Sequence, residues 1–244
     1  MKKITAVFLS FCILIYSFPV YCYNIRDAYE DYLYGDYHEA TKKAERLREN
    51  DEVLYFLGLI YMKVGEHAKV RNYLRKLLHR YPSSQFYEQG LVKLADTYFL
   101  EGDFSKAKEL YWDIVQKYPN MQYLPTVYLR LAQIACKEGD WNLKKMYLRM
   151  IKDKYPNCSE MKFVEILEDY GDFFTIQIGA FSAEANASTI KNELESKYPV
   201  YIVEDKKGGS TLYKVRVGKF KTRDSAKRVF LQLLEQGYPA IIYP

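Results

Sequence analysis

The side chains of this 244-residue chain that could do covalent chemistry do not assemble into a catalytic set. His38, His67 and His79 are its three histidines, and their spacing is not that of metal ligands, so each reads as a surface histidine. Ser188-Thr-Ile-Lys191 has the Ser-x-x-Lys spacing in which a lysine activates a serine nucleophile, but no companion catalytic motif accompanies it. Glu101 and Asp103 flank a glycine in a turn signal, and two nearby acids do not by spacing alone make a glycosidase. Cys136 lies near the end of the first helix of a helical hairpin and Cys158 just past the end of the second. Antiparallel packing would separate them by roughly 20 Å, a 14-residue helix at 1.5 Å per residue, beyond disulfide reach. Neither a metal nor a cofactor is expected, and the chain reads as a binding protein rather than an enzyme.

The remaining chemistry is that of non-covalent recognition. Phe174-Thr-Ile-Gln-Ile-Gly-Ala-Phe181 and Tyr213-Lys-Val-Arg-Val-Gly-Lys-Phe220 both alternate apolar and polar residues and end in Gly-x-Phe, so each is expected to form a half-buried strand. With Ile176 and Ile178 inward, strand parity turns Thr175, Gln177 and Gly179 outward. With Tyr213, Val215 and Val217 inward, it turns Lys214 and Arg216 outward. An amide, two cations and a glycine permitting close approach then line one face. Such a face is either an ordinary solvated one or a site for a polymer rich in hydroxyl, amide and carboxylate groups. Phe181 and Ser182 follow at the rim. There Phe181 either stacks on a ring-shaped ligand or, if the Gly-x-Phe ending bulges and reverses parity, joins the core.

The elements that position these residues follow the order βαββαβ. The first strand leads into a helical pattern (Ala183, Ala187, Ile190, Leu194) and the β-branched run Val200 to Val203. The second leads into Ala226, Val229, Phe230 and Leu233, then Ala240 to Tyr243. Asp205-Lys-Lys-Gly-Gly-Ser210 supplies the turn between the halves, and Gly237 stands where a helix-terminating glycine belongs. Residues 173–244 are therefore expected to form a small α+β domain, a four-stranded antiparallel sheet with two helices on one face and the other face open.

The two Gly-x-Phe strands, about 39 residues apart with a helix between them, resemble the sporulation-related repeat (SPOR) domain of bacterial envelope proteins. The resemblance covers residues 173–244. It implies binding to peptidoglycan, with preference for glycan strands stripped of stem peptides, and recruitment to the division site. The residues it would use here are Gln177, Gly179, Phe181, Ser182, Lys214 and Arg216.

Upstream, Tyr81-Pro82, Tyr118-Pro119 and Tyr155-Pro156 recur every 37 residues, as do Gly65, Gly102 and Gly139. A fixed period of this size means stacked supersecondary units. Within each unit the spacing resembles the tetratricopeptide pattern: Leu57, Gly58, Tyr61, Val70, Leu74 and Pro82 in one, Leu94, Ala95, Tyr98, Ala107, Tyr111 and Pro119 in the next, then Leu131, Ala132, Ala135, Leu148 and Pro156. Lys144 falls where the pattern wants alanine and is expected to loosen or twist the last hairpin. Residues 23–172 are thus expected to form an α solenoid. It begins with a shorter hairpin from Asp27 to Asn50 and ends in a capping helix from Ser159, its N-cap, to Tyr170, with Met161, Val164, Ile166 and Leu167 broadly on one side. Tyrosine is abundant, 25 in the chain, and Tyr61, Tyr98 and Tyr111 read as packing residues; others are free to line a groove for a protein partner.

Met1-Lys-Lys followed by Ile4 to Val20, almost wholly apolar and uncharged, reads as a secretory signal over residues 1–22. Cleavage, retention as an anchor, or lipidation at Cys22 all remain open; Tyr21 and Pro19 fit a lipidation signal poorly, and membrane attachment would come only through this leader. Residues 173–244 carry 11 Lys plus Arg against 7 Asp plus Glu, while residues 23–172 carry 23 against 24. So small an excess does not suggest a nucleic-acid protein, and export speaks against nucleic acid as a partner. The reading that follows is an adaptor in the periplasm or envelope, with one domain on glycan and the other on an envelope protein. The alternative is an outer-membrane assembly scaffold or chaperone in which the repeats are the functional part.

Overall fold

The computed structural model describes residues 24–169, 171–207 and 209–244. The expected signal segment, residues 1–22 with Cys22, and Tyr170 at the expected end of the capping helix lie outside them.

Four helical hairpins come first: α1 (Ile25–Tyr34) with α2 (Tyr37–Ala44), α3 (Asp51–Val64) with α4 (His67–Arg80), α5 (Tyr87–Glu101) with α6 (Phe104–Lys117), and α7 (Leu124–Glu138) with α8 (Trp141–Lys154). The period sets the turns. Gly35, Gly65, Gly102 and Gly139 each end a first helix with φ between 78° and 85°, a left-handed conformation that a side chain would oppose. The next residue's N–H then bonds back five residues, as from Asp103 to Tyr98 at 2.9 Å, closing a Schellman turn. Asp36, Asp103 and Asp140 cap the second helices by accepting from the N–H three residues on, whereas Glu66 makes no side-chain cap.

Small residues let the paired helices approach: a Cβ on Gly58 would lie 2.9 Å from Leu74 Cδ2, and Ala95 and Ala132 occupy the same place in the next two hairpins, fully buried. Three consecutive helices are also clasped by one carboxylate. Asp96 of α5, 3 % exposed, accepts from Tyr111 Oη of α6 at 2.6 Å and from Arg130 Nε of α7 at 3.0 Å.

The solenoid ends in α9 (Met161–Asp169), which buries Val164 and Leu167 against the last hairpin. Two expectations need correction here. Ser159 is not the N-cap: it lies in the preceding turn, donates to the Glu160 carboxylate at 3.0 Å, and leaves the Glu160 carbonyl to accept from Phe163 and Val164. Ile166, on the expected apolar side, is exposed, because a nine-residue helix covering one hairpin end needs only its i, i+3 pair.

The tail comprises β1 (Phe174–Phe181), α10 (Glu184–Leu194), β2 (Val200–Lys207), β3 (Ser210–Phe220), α11 (Arg223–Glu235) and β4 (Ile241–Tyr243), with strand order β2-β3-β1-β4 and all pairs antiparallel. Both helices cover one face, where Ala187, Leu194, Ala226 and Leu233 bury Ile176, Ile178, Val215 and Val217. The β2–β3 pairing continues to Lys207 and Ser210, so the hairpin turn is tighter than the sequence suggests.

A four-residue joint ties the tail to the last hairpin. The Phe174 ring packs on Trp141 with centroids 5.2 Å apart, and a Cβ on Gly139 would lie 2.8 Å from it. Asp172 pairs with Lys144 Nζ at 3.1 Å and with Lys145. Lys144 therefore does not loosen the hairpin: α8 is unbroken, and the lysine is 2 % exposed because its ammonium reaches past the helix to Asp172 and the Leu167 carbonyl.

Candidate carbohydrate-binding face

The face of the tail sheet not covered by α10 and α11 is built by register. Gln177 of β1 lies directly opposite Arg216 of β3, which lies opposite Tyr201 of β2, while Ile241 of β4 completes the row. One step along, Thr175 lies opposite Tyr243, and on the other side Lys214 lies between Val203 and Ala180. Paired antiparallel residues share a face, so Gln177, Lys214 and Arg216 stand together as parity predicts.

Gly179 and Phe181 do not join them. Gly179 pairs with Val215, a core residue, because β1 bulges between Gln177 and Gly179; Ile178 and Gly179 together oppose that one position. Beyond the bulge Ala180 faces outward, and Phe181, opposite Tyr213, packs into the tail core. The Phe181 ring lies where a Gly179 side chain would go, 2.6 Å from the position of a Cβ. The close approach that Gly179 permits is thus made by the protein's own ring, not by a ligand. The second Gly-x-Phe does the same: Gly218 has φ 70°, the register shifts there, and the Phe220 ring fills the position of its Cβ. Ser182 is exposed in the β1–α10 connection, at the rim.

Arg216 sets the electrostatics of the face. Its guanidinium lies 4.5 Å from the centroid of the Tyr243 ring, and its Nε is out of water without a hydrogen-bond partner. Lys219 sits above Phe173 at 4.9 Å and Tyr201 at 5.5 Å. Lys214 is paired with Asp205. Tyr201 Oη donates to Thr175 Oγ1 at 3.0 Å, and the Thr175 hydroxyl, almost fully buried, donates to the Val217 carbonyl at 3.2 Å. Sequence reasoning leaves out Phe173, Tyr201 and Tyr243. Alternation within β2 is the signal that places Tyr201 outward; three-residue β4 is too short to carry one.

The other polar clusters of the described residues are structural. Cys136 is buried and Cys158 half-buried, and neither forms a disulfide; burial pushes the Cys136 thiol up. His67 lies 3.6 Å from Glu101, which also holds Arg71. Among the described residues no His, Cys, Asp and Glu cluster could hold a metal, and no helix is long and apolar enough to cross a membrane. A cavity of about 590 Å³ between α8 and the joint, away from the sheet face, is lined by Lys144, Lys145 and Lys152, each already paired with Asp172 or Glu168.

Two family profiles agree with this architecture. No curated protein matches the chain. Among solved structures, the chain is similar to Pseudomonas aeruginosa PilF (18 % identity over 59 % of this chain and 67 % of that one, TM-score 0.43) and to PilW, a type IV pilus biogenesis factor (16 % identity, 57 % and 64 %, TM-score 0.48). It thus spans about two thirds of the length of each. The tail is similar to the peptidoglycan binding domain of the Bacillus subtilis cell wall lytic enzyme CwlC, at 32 % identity over 29 % of this chain and 86 % of that one, TM-score 0.25. The tetratricopeptide repeat profile matches residues 52–84, 89–120 and 126–157, and the SPOR domain profile matches residues 170–244. Both are binding modules, the first implying protein interaction and the second peptidoglycan binding. The chain therefore carries three tetratricopeptide repeats followed by a C-terminal SPOR domain.

Proposed function

We propose that this protein is an exported, non-enzymatic adaptor whose tail binds peptidoglycan glycan strands stripped of stem peptides and whose repeats hold an envelope protein. The observation that carries the reading is the direct pairing of Gln177 with Arg216 on the helix-free face, flanked by Tyr201 and Tyr243. An amide beside a guanidinium matches the acetamides, hydroxyls and lactyl carboxylates of such a strand, and the flanking rings suit the apolar faces of sugars. Lys214 and Ser182 extend the polar rim. Export rests on the apolar leader over residues 1–22, the solenoid extends over residues 23–172 and the glycan-binding unit over 173–244. A solenoid of stacked hairpins offers an extended concave surface to a protein ligand, and a glycan-bound tail would station it at the wall, with the division septum as the expected place.

The test is co-sedimentation of the purified protein with amidase-treated sacculi. Gln177→Ala and Arg216→Ala should each weaken binding about tenfold, the scale of one lost hydrogen bond to a charged group, while the melting temperature barely moves. Wild-type binding by both variants would move the site elsewhere and favour the scaffold reading.

A further inference from the structure

The sheet face is not open on every side. Four residues separate helix α9 from β1, and Ile166 and Asp169, one turn apart on the helix, look across a cavity of about 240 Å³ at Val203, Lys214, Arg216 and Tyr243. A neighbouring cavity of about 170 Å³ continues past Asp169 to Phe173, Thr175, Tyr201 and Lys219. The two share Asp169, Val203, Arg216 and Tyr243, so they form one cleft with the sheet as floor and α9 with the joint as second wall.

Three features of the cleft are not accounted for by packing alone. Ile166 is 44 % exposed, although Val164 and Leu167 on the same helix are buried. Asp169 is exposed and makes no ion pair or hydrogen bond among the described residues, although it lines the same cleft as Arg216 and Lys214. Arg216 Nε is buried on the opposite side without an acceptor. The Asp169 carboxylate and the outer part of the Arg216 guanidinium face one space, an acceptor and a charged donor for whatever enters between them.

We propose that α9 of the solenoid is part of the glycan site: Ile166 and Asp169 hold the pyranose rings of one glycan strand against the tail sheet. Asp169 accepts from sugar hydroxyls, Ile166 covers an apolar ring face, and Arg216 donates from below. This rests on the tail binding glycan, and it adds that the tail does so jointly with the repeats. A strand bearing stem peptides is wider than the sugar backbone alone, so the second wall also favours stripped strands.

The experiment measures binding of the full chain to amidase-released, peptide-free glycan strands. Asp169→Asn and Ile166→Asp should each weaken binding about tenfold, with Glu165→Ala, exposed on the same helix, at wild-type affinity and with melting temperatures unchanged. If Arg216→Ala weakens binding while both α9 variants bind as wild type, the tail reading stands and the second wall is overturned. If Arg216→Ala binds as wild type, the tail reading itself fails. Equal loss in Glu165→Ala would mean a general disturbance of α9 and would also overturn the proposal.

Discussion

Lys144 of the last hairpin and Asp172 of the joint meet at 3.1 Å, and the pair fixes the tail on the solenoid. Burial pushes the Asp172 carboxyl up, but hydrogen bonds from Lys145 and Lys144 outweigh it and hold the carboxyl below its ordinary value. The sign follows from that depression. The contribution of Asp172 is complete above the unfolded carboxylate value of about 3.9 and is lost as pH falls through the lower folded value. The joint should therefore stay closed at neutral pH and loosen only below about pH 4. Asp172→Ala should loosen it at pH 7, because Lys144 would keep its burial without its carboxylate, a penalty of about 1–3 kcal/mol. Proteolysis at the joint reads both effects; an Asp172→Ala protein cleaved no faster than wild type would show that the aromatic contact of Trp141 with Phe174 suffices alone.

The two Gly-x-Phe bulges give a second prediction. A methyl on Gly179 meets the Phe181 ring and should cost about 1–3 kcal/mol as overpacking. A methyl on Gly218 meets Phe220 and also occupies a left-handed backbone, which adds about 1–2 kcal/mol. Gly218→Ala should therefore melt lower than Gly179→Ala. Both should lose stability before they lose glycan affinity, since neither glycine opens onto the helix-free face. Unchanged melting of Gly179→Ala with loss of binding would restore the glycine to the ligand surface.

How far the sequence reaches depends on whether a feature repeats. The hairpins are legible because Gly and Tyr-Pro recur every 37 residues, and the inner rows of β1 and β3 because Ile176, Ile178, Val215 and Val217 alternate. The bulge after Gln177 is legible only as one of two alternatives for the Gly-x-Phe ending, since an extra residue leaves the composition of the strand unchanged while turning Gly179 and Phe181 inward. Lys144 reads as a misfit because its partner Asp172 lies 28 residues on, across the joint. Tyr201 and Tyr243 join Arg216 only through the strand order, which no local pattern specifies.

The Asp96 cluster predicts a stability effect in the repeats. Burial, followed by the nearby Asp96 charge, pushes the Tyr111 hydroxyl well above its ordinary value. Tyr111→Phe should remove one hydrogen bond at about 0.5–1.5 kcal/mol. Asp96→Ala should cost more, about 3–5 kcal/mol, because Tyr111 and Arg130 would both lose the buried carboxylate that they share. Urea unfolding of the two variants gives the comparison, and equal losses would show that Arg130 is served by its contact with the Phe99 ring instead.

Salt separates recognition of sugar from adsorption of a basic surface. The excess of positive charge in residues 173–244 is small, and it is dispersed: Lys214 is paired with Asp205, Arg216 lies on Tyr243 and Lys219 on Phe173. At 0.5 M salt the screening length is about 4 Å, which removes long-range attraction but leaves hydrogen bonds and ring contacts. Binding to stripped glycan should therefore persist, and removing stem peptides should raise it, because the lactyl carboxylates are uncovered and the strand is free to approach Gln177 and Arg216. Co-sedimentation with intact and amidase-treated sacculi at 0.1 and 0.5 M salt tests both. Equal binding to the two sacculi, abolished by salt, would mean that the tail only adsorbs to the wall and that the repeats carry the function.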